Sequence, residues 1–153
     1  MNNWKNIWNK RQISNLTEIN RNKLLEFLIK YNGFDGGSGS SSITVEAWTD
    51  YISLIKNKLS ILEDDSIFEV GCGCGALLYP FYTANHFVGG IDYSDILIQQ
   101  AKTIMPNAEL LFGEACDIIP PNNNTNNTHS FFYDYVISNS IFFIFQITIM
   151  HQW

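Results

Sequence analysis

Glu69, Gly71, Gly73, Gly75 and Asp92 stand close together in the segment SIFEVGCGCGALLYPFYTANHFVGGIDYS, and their types and order imply a chemistry. Ser66 to Val70 is a short run of β-formers, and glycines follow it at every second position. That pattern predicts a buried strand running into a glycine loop, where a Cβ would block close approach of the backbone to a ligand. Gly75 then opens ALLYPFYTA, read as a helix whose free N–H groups face the loop. Strand, glycine loop and helix together form a cradle for a nucleotide-type cofactor. Asp92, at the end of a second apolar run, supplies a carboxylate able to accept both hydroxyls of a ribose.

Two cofactor classes fit this spacing. Gly71, Gly73 and Ala76 match the G-x-G-x-x-G/A dinucleotide fingerprint, and Asp92 lies 21 residues after Gly71, where a ribose-binding acid belongs. Glu69 stands against NAD, because a carboxylate two residues before the first glycine would repel a pyrophosphate. It would attract a cofactor that carries an ammonium group.

The elements that must position these residues can be read on either side. Residues 1–17 contain no acid and set Trp4, Ile7 and Trp8 on one face of an amphipathic helix. Residues 17–31 continue as helix, ended by Asn32 and Gly33, and residues 34–42 form a Gly/Ser loop. Trp48, Ile52, Ile55 and Leu59 recur at helical spacing, which predicts a helix over 44–62. Strands follow at 66–70, 87–91, 109–112 and 132–137, with a helix at 94–105 ended by Pro106. The expected fold is α/β: a Rossmann-like, doubly wound parallel sheet of about four strands, incomplete, preceded by N-terminal helices. The expected division is a helical segment over 1–62 and a cofactor-binding domain over 63–153.

Four segments, EVGCGCG, GGIDYS (89–94), GEACDIIP (113–120) and YDYVISNS (133–140), resemble the successive motifs of class I S-adenosylmethionine-dependent methyltransferases. The resemblance covers about residues 60 to 140 and is closest to the small-molecule type whose first motif reads E-V-G-C-G-x-G. It implies S-adenosyl-L-methionine as cofactor and methyl transfer to an acceptor that the motifs do not identify. On this likeness Glu69 reaches the methionyl ammonium, and Gly71, Gly73 and Gly75 let the backbone pass beside the methionyl and ribose groups. Asp92 accepts the ribose hydroxyls, while Tyr93 and Leu97 pack on the adenine. Glu114, where the family often has Asp, and Ala115 meet the adenine edge. Ser138 and Asn139, with Ser140, follow the fourth strand and resemble the segment that lines the methyl donor and acceptor. The resemblance names no catalytic base, since displacement at a sulfonium methyl can be driven largely by positioning.

The 153 residues suffice for one modest core, and 46% hydrophobic with 16% charged residues fits a globular chain. Net charge is −6, divided as +4 over residues 1–30 and −10 over 31–153, which argues against a nucleic-acid partner for the main body. Cys72, Cys74 and Cys116 lack zinc spacing, so no metal is expected. No apolar run stands near the start, so a cytoplasmic location is expected and the three N-x-T sequons should be inert. PPNNNTNNTHS (120–130) reads as a low-complexity surface insertion, and His86, His129 and His151 as incidental. The apolar IFFIFQITIM (141–150) is too short to span a membrane. It predicts either an edge strand or an extension into helix, and a contact surface for a second copy or a partner subunit. Family members usually continue with a polar helix here, so the chain reads as the front half of a methyltransferase. The alternatives are a non-catalytic cofactor-binding fragment or partner-dependent subunit, and an NAD(P)-dependent oxidoreductase.

Overall fold

The computed structural model describes residues 21–34, 42–117, 133–140 and 143–147. The expectations for residues 1–20, 35–41 and 118–132 lie outside the described residues. Helix α1, Arg21–Ile29, is followed by a wider turn over Lys30–Phe34, in which Gly33 takes φ 96°. Helix α2, Val45–Leu59, begins where the Thr44 hydroxyl accepts from the Ala47 N–H at 3.1 Å and ends at Ser60 in the left-handed region. The remaining elements are β1 (Ile67–Val70), α3 (Leu78–Thr83), β2 (Val88–Asp92), α4 (Asp95–Ile104), β3 (Glu109–Phe112), β4 (Tyr135–Ser140) and β5 (Phe143–Ile147).

The strands form one sheet in the order β3-β2-β1-β4-β5. The first four are mutually parallel, and β5 returns antiparallel to β4, pairing Ser138 with Phe145 and Ser140 with Phe143. Four parallel strands agree with the sequence reading, and the apolar tail resolves as a fifth, edge strand rather than a helix. Strand β4 starts later than the expected residue 132. Asp134 is held outside the ladder, its Oδ2 accepting from the Ser66 N–H and hydroxyl at 2.8 and 2.7 Å. Ser138 to Ser140 therefore lie within β4 and do not follow it, because β5 extends the ladder along them.

The period of two along each strand splits the sheet into two faces. Ile67, Val88, Leu110 and Ile137 face a core shared with Leu28, Ile29, Trp48, Ile52, Ile55, Phe81 and Ile98, so α1 to α4 all pack on that side. Phe68, Ile91 and Tyr133 pack together on the other face. Crossovers from β1 to β2 to β3 run in one direction, which sets α3 and α4 on one face. Helices α1 and α2, from the segment before residue 63, thus share one core with the sheet. No described helix is long and apolar enough to cross a membrane.

Candidate functional site

Direction of travel along the sheet reverses at β1: β2 and β3 lie on one side of it, β4 and β5 on the other. In open α/β sheets the crevice at such a reversal, outside the carboxyl ends of the strands, is where ligands bind. A cavity of about 200 Å³ opens there, lined by Val70, Gly71, Ile91, Asp92, Tyr93, Gly113, Ala115 and Ser138. A larger one, about 880 Å³, sits at the amino ends of β2 and β3, between the ends of α3 and α4, lined by Tyr79, Tyr82, His86, Thr103 and Pro106 among others. Its lining contains no carboxylate, and His86 is already engaged, its Nδ1 2.9 Å from the Asp65 carbonyl oxygen. Chemistry favours the smaller cavity over the larger.

Asp92 is the last residue of β2 and only 8% exposed. Its Oδ2 accepts from the Gly73 N–H at 2.9 Å and its Oδ1 from the Ser94 N–H at 2.8 Å. Burial pushes its carboxyl above the ordinary range, and these two backbone donors oppose that shift. Each oxygen keeps a further lone-pair direction for an incoming hydroxyl. The Gly113 N–H donates to the Asp92 carbonyl at 3.0 Å, which draws the turn after β3 to the rim of the cavity.

The glycine loop is pinned to β2. The N–H groups of Gly71 and Cys72 both donate to the Ile91 carbonyl, at 2.8 and 3.1 Å. No helix begins at Gly75, whose φ of +87° lies outside the right-handed helical region; α3 starts at Leu78 and runs six residues. The three glycines also differ in what they make room for. Gly71 has φ +81°, and a Cβ there would enter open space beside the cavity. A Cβ on Gly73 would strike the Asn32 amide, and one on Gly75 the Met105 methyl. All three have positive φ, which alone favours glycine; internal packing adds to this at Gly73 and Gly75, while Gly71 leaves the space beside the cavity open.

Glu69 is 1% exposed and lies on the helix-bearing face of β1. Its Oε2 has no hydrogen-bond partner among the described residues. Burial, and secondarily the charge of Asp92, pushes its carboxyl well above the ordinary value. Burial also raises the Tyr51 phenol, with the Glu69 charge adding to the shift. Tyr51 reaches from α2 to donate to Asn139 Oδ1 at 2.8 Å, and the Ser138 hydroxyl donates to the Val70 carbonyl at 3.2 Å.

Five of the residues singled out from sequence therefore meet at one cavity: Gly71, Asp92, Tyr93, Ala115 and Ser138. Glu69 and Asn139 sit just behind it, on the side of Tyr51. Leu97 is buried in the main core, and Glu114, exposed, is not among the cavity's lining residues. Sequence reasoning missed Asn32, Trp48 and Tyr51 as supports of the site. Asn32 read only as a helix stop and Trp48 only as part of an apolar stripe, while Tyr51 was not singled out. The signal that could have found them is polarity: an amide, an indole N–H and a phenol must each find a partner when they pack against a loop.

Among solved structures the chain resembles a coclaurine N-methyltransferase bound to N-methylheliamine and S-adenosylhomocysteine, at 19% identity and TM-score 0.51, over 89% of this chain and 42% of that one. It also resembles a TehB-like S-adenosylmethionine-dependent methyltransferase from Corynebacterium glutamicum, at 20% identity and TM-score 0.43, over 63% and 56%. The aminopentose methyltransferase CalS10 from Micromonospora echinaspora, bound to S-adenosylmethionine, matches at 18% identity and TM-score 0.46, over 60% and 36%. The matched region spans about a third to just over half the length of these structures. No protein-family model matches the chain, and no curated protein does. The strand order and the first of these likenesses define the class of fold: the Rossmann-like α/β fold of class I methyltransferases.

Proposed function

We propose that this chain binds S-adenosylmethionine in the cleft at β1, β2 and β4 and belongs to an enzyme that transfers its methyl group. The observation that carries the reading is Asp92, a nearly buried carboxylate at the carboxyl end of β2 opening on a cavity floored by Gly71. Three features fit this cofactor. Asp92 retains acceptor capacity for two hydroxyls, Gly71 leaves open space where a side chain would project, and Glu69 holds a buried oxygen without a partner among the described residues. The cavity of about 200 Å³ is below the ~300–1,000 Å³ of whole small-ligand sites and suits the nucleoside part.

In this reading Asp92 orients the ribose, Tyr93 and Ala115 border the adenine, and Glu69 offsets the charge of the methionyl ammonium. Ser138 and Asn139, on adjacent positions of β4, border the end from which the methyl group leaves. The bound cofactor supplies a methyl carbon already activated by its sulfonium. The chain's own residues hold that carbon in line with an acceptor and keep water away.

Calorimetric titration with S-adenosylhomocysteine, with NAD(H) as the control ligand, tests the reading. Saturable binding of the first is expected. Asp92→Ala should weaken it by about two orders of magnitude, the loss of two hydrogen bonds to a charged acceptor. Glu69→Ala should weaken it too and leave NAD(H) unaffected. A folded chain that ignores S-adenosylhomocysteine, or prefers NAD(H), overturns the proposal.

A further inference from the structure

Asn32 lies in the turn after α1, 40 residues from the glycine loop in sequence, yet it brackets Gly73 on both sides. Its Nδ2 donates to the Cys72 carbonyl at 3.2 Å, and its Oδ1 accepts from the Cys74 N–H at 2.8 Å. The Cys74 thiol also donates to Oδ1, at 2.9 Å. The orientation of the amide is dictated, because a backbone N–H can only donate and a carbonyl only accept. Gly73 carries no Cβ at the spot the amide occupies, so this contact needs glycine there.

The consequence passes to the peptide between the two anchors. The N–H of Gly73 is the donor that holds Asp92 Oδ2 at 2.9 Å. With Cys72 O and Cys74 N both tied to one rigid amide, the Gly73 peptide cannot rotate without breaking one of them. We propose that Asn32 is a positioning residue for Asp92, acting through the Gly73 peptide, so that the turn after α1 sets the geometry of the cofactor's hydroxyl acceptor. This rests on the reading of Asp92 given above. Trp48, whose Nε1–H donates to the Ala76 carbonyl at 3.0 Å, fixes the far end of the same loop from α2. The two N-terminal helices thereby act as the template on which the loop is set.

Two readouts on the full chain separate this inference from the cofactor reading. The first is the Gly73 amide proton resonance, which a carboxylate acceptor shifts downfield. The second is the affinity for S-adenosylhomocysteine. Asn32→Ala should move the Gly73 resonance upfield and weaken binding about tenfold, as expected for one or two lost hydrogen bonds. Asn32→Asp supplies a control that keeps the side-chain shape. When ionised it cannot donate to the Cys72 carbonyl; when protonated it can. Its affinity relative to wild type should therefore be low at neutral pH and recover as the pH is lowered. A Gly73 resonance unmoved in both variants overturns the inference, as does unaltered affinity in variants whose resonance has moved. If the wild type binds no S-adenosylhomocysteine, the cofactor reading falls. The inference then stands or falls on the Gly73 resonance as a statement about Asp92 geometry.

Discussion

Glu69 places a carboxyl inside an apolar layer, with one oxygen unpartnered among the described residues and a second acid, Asp92, adding to the cost of its charge. The folded state therefore holds the proton more tightly than the unfolded chain does. With the folded pKa raised above its ordinary 4.5, stability is greatest below that value and falls as pH rises through the shifted pKa. Glu69→Gln should flatten this slope and raise the melting temperature at neutral pH, a contrast that thermal melts at two pH values would reveal. The same substitution should weaken S-adenosylhomocysteine binding, because an amide, unlike a neutral carboxyl, cannot release a proton to become the counter-charge of an ammonium. A variant that is no more stable at neutral pH, or that binds as well as wild type, would count against a neutral, cofactor-facing Glu69. Sequence showed that an acid stood in an apolar strand. It did not show that Tyr51, with its phenol bonded to Asn139, would pack close to that acid.

At the scale of elements, the loop after β1 depends on helices that precede the sheet in sequence. Leu28 of α1 is fully buried in the main core, and its carbonyl oxygen lies 3.5 Å from the Cys74 sulfur. Leu28→Ala should cost about 2–5 kcal/mol, measurable by urea denaturation. Trp48→Phe keeps most of the packing but orphans the Ala76 carbonyl, at about 1–3 kcal/mol. The helix over 44–62 was legible because an apolar stripe at helical spacing is a local signal. The start of β4 was not, because what excludes Asp134 from the strand is Ser66, 68 residues away.

For the whole molecule, one core joins α1, α2, α3, α4 and the helix-bearing face of the sheet. A single cooperative transition is the expected consequence, with far-UV dichroism and tryptophan fluorescence reporting the same midpoint. Two separated transitions would mean that α1 and α2 unfold independently of the sheet. The sheet's outer edge is β5, antiparallel to an otherwise parallel set. A tail that follows β4 directly, with no crossover helix between them, can only fold back beside it, because parallel pairing needs a connection of a dozen residues or more.

The sequence by itself determined the α/β class, the strand–glycine loop–acid order and the identity of Asp92 as the acid at the end of the second strand. These follow from short-range pattern: β-formers in runs, glycines at every second position and acids at apolar run ends. Only the tertiary structure decided which glycine faces the cavity. Conformational freedom is the same for all three, but Met105 fills the space at Gly75 and Asn32 that at Gly73, while Gly71 stays open. It also assigned Leu97 to the core, brought Ala115 to the rim and made Asn32 a support of Asp92. Each of those outcomes depends on contacts between residues far apart in the chain, which no local periodicity encodes.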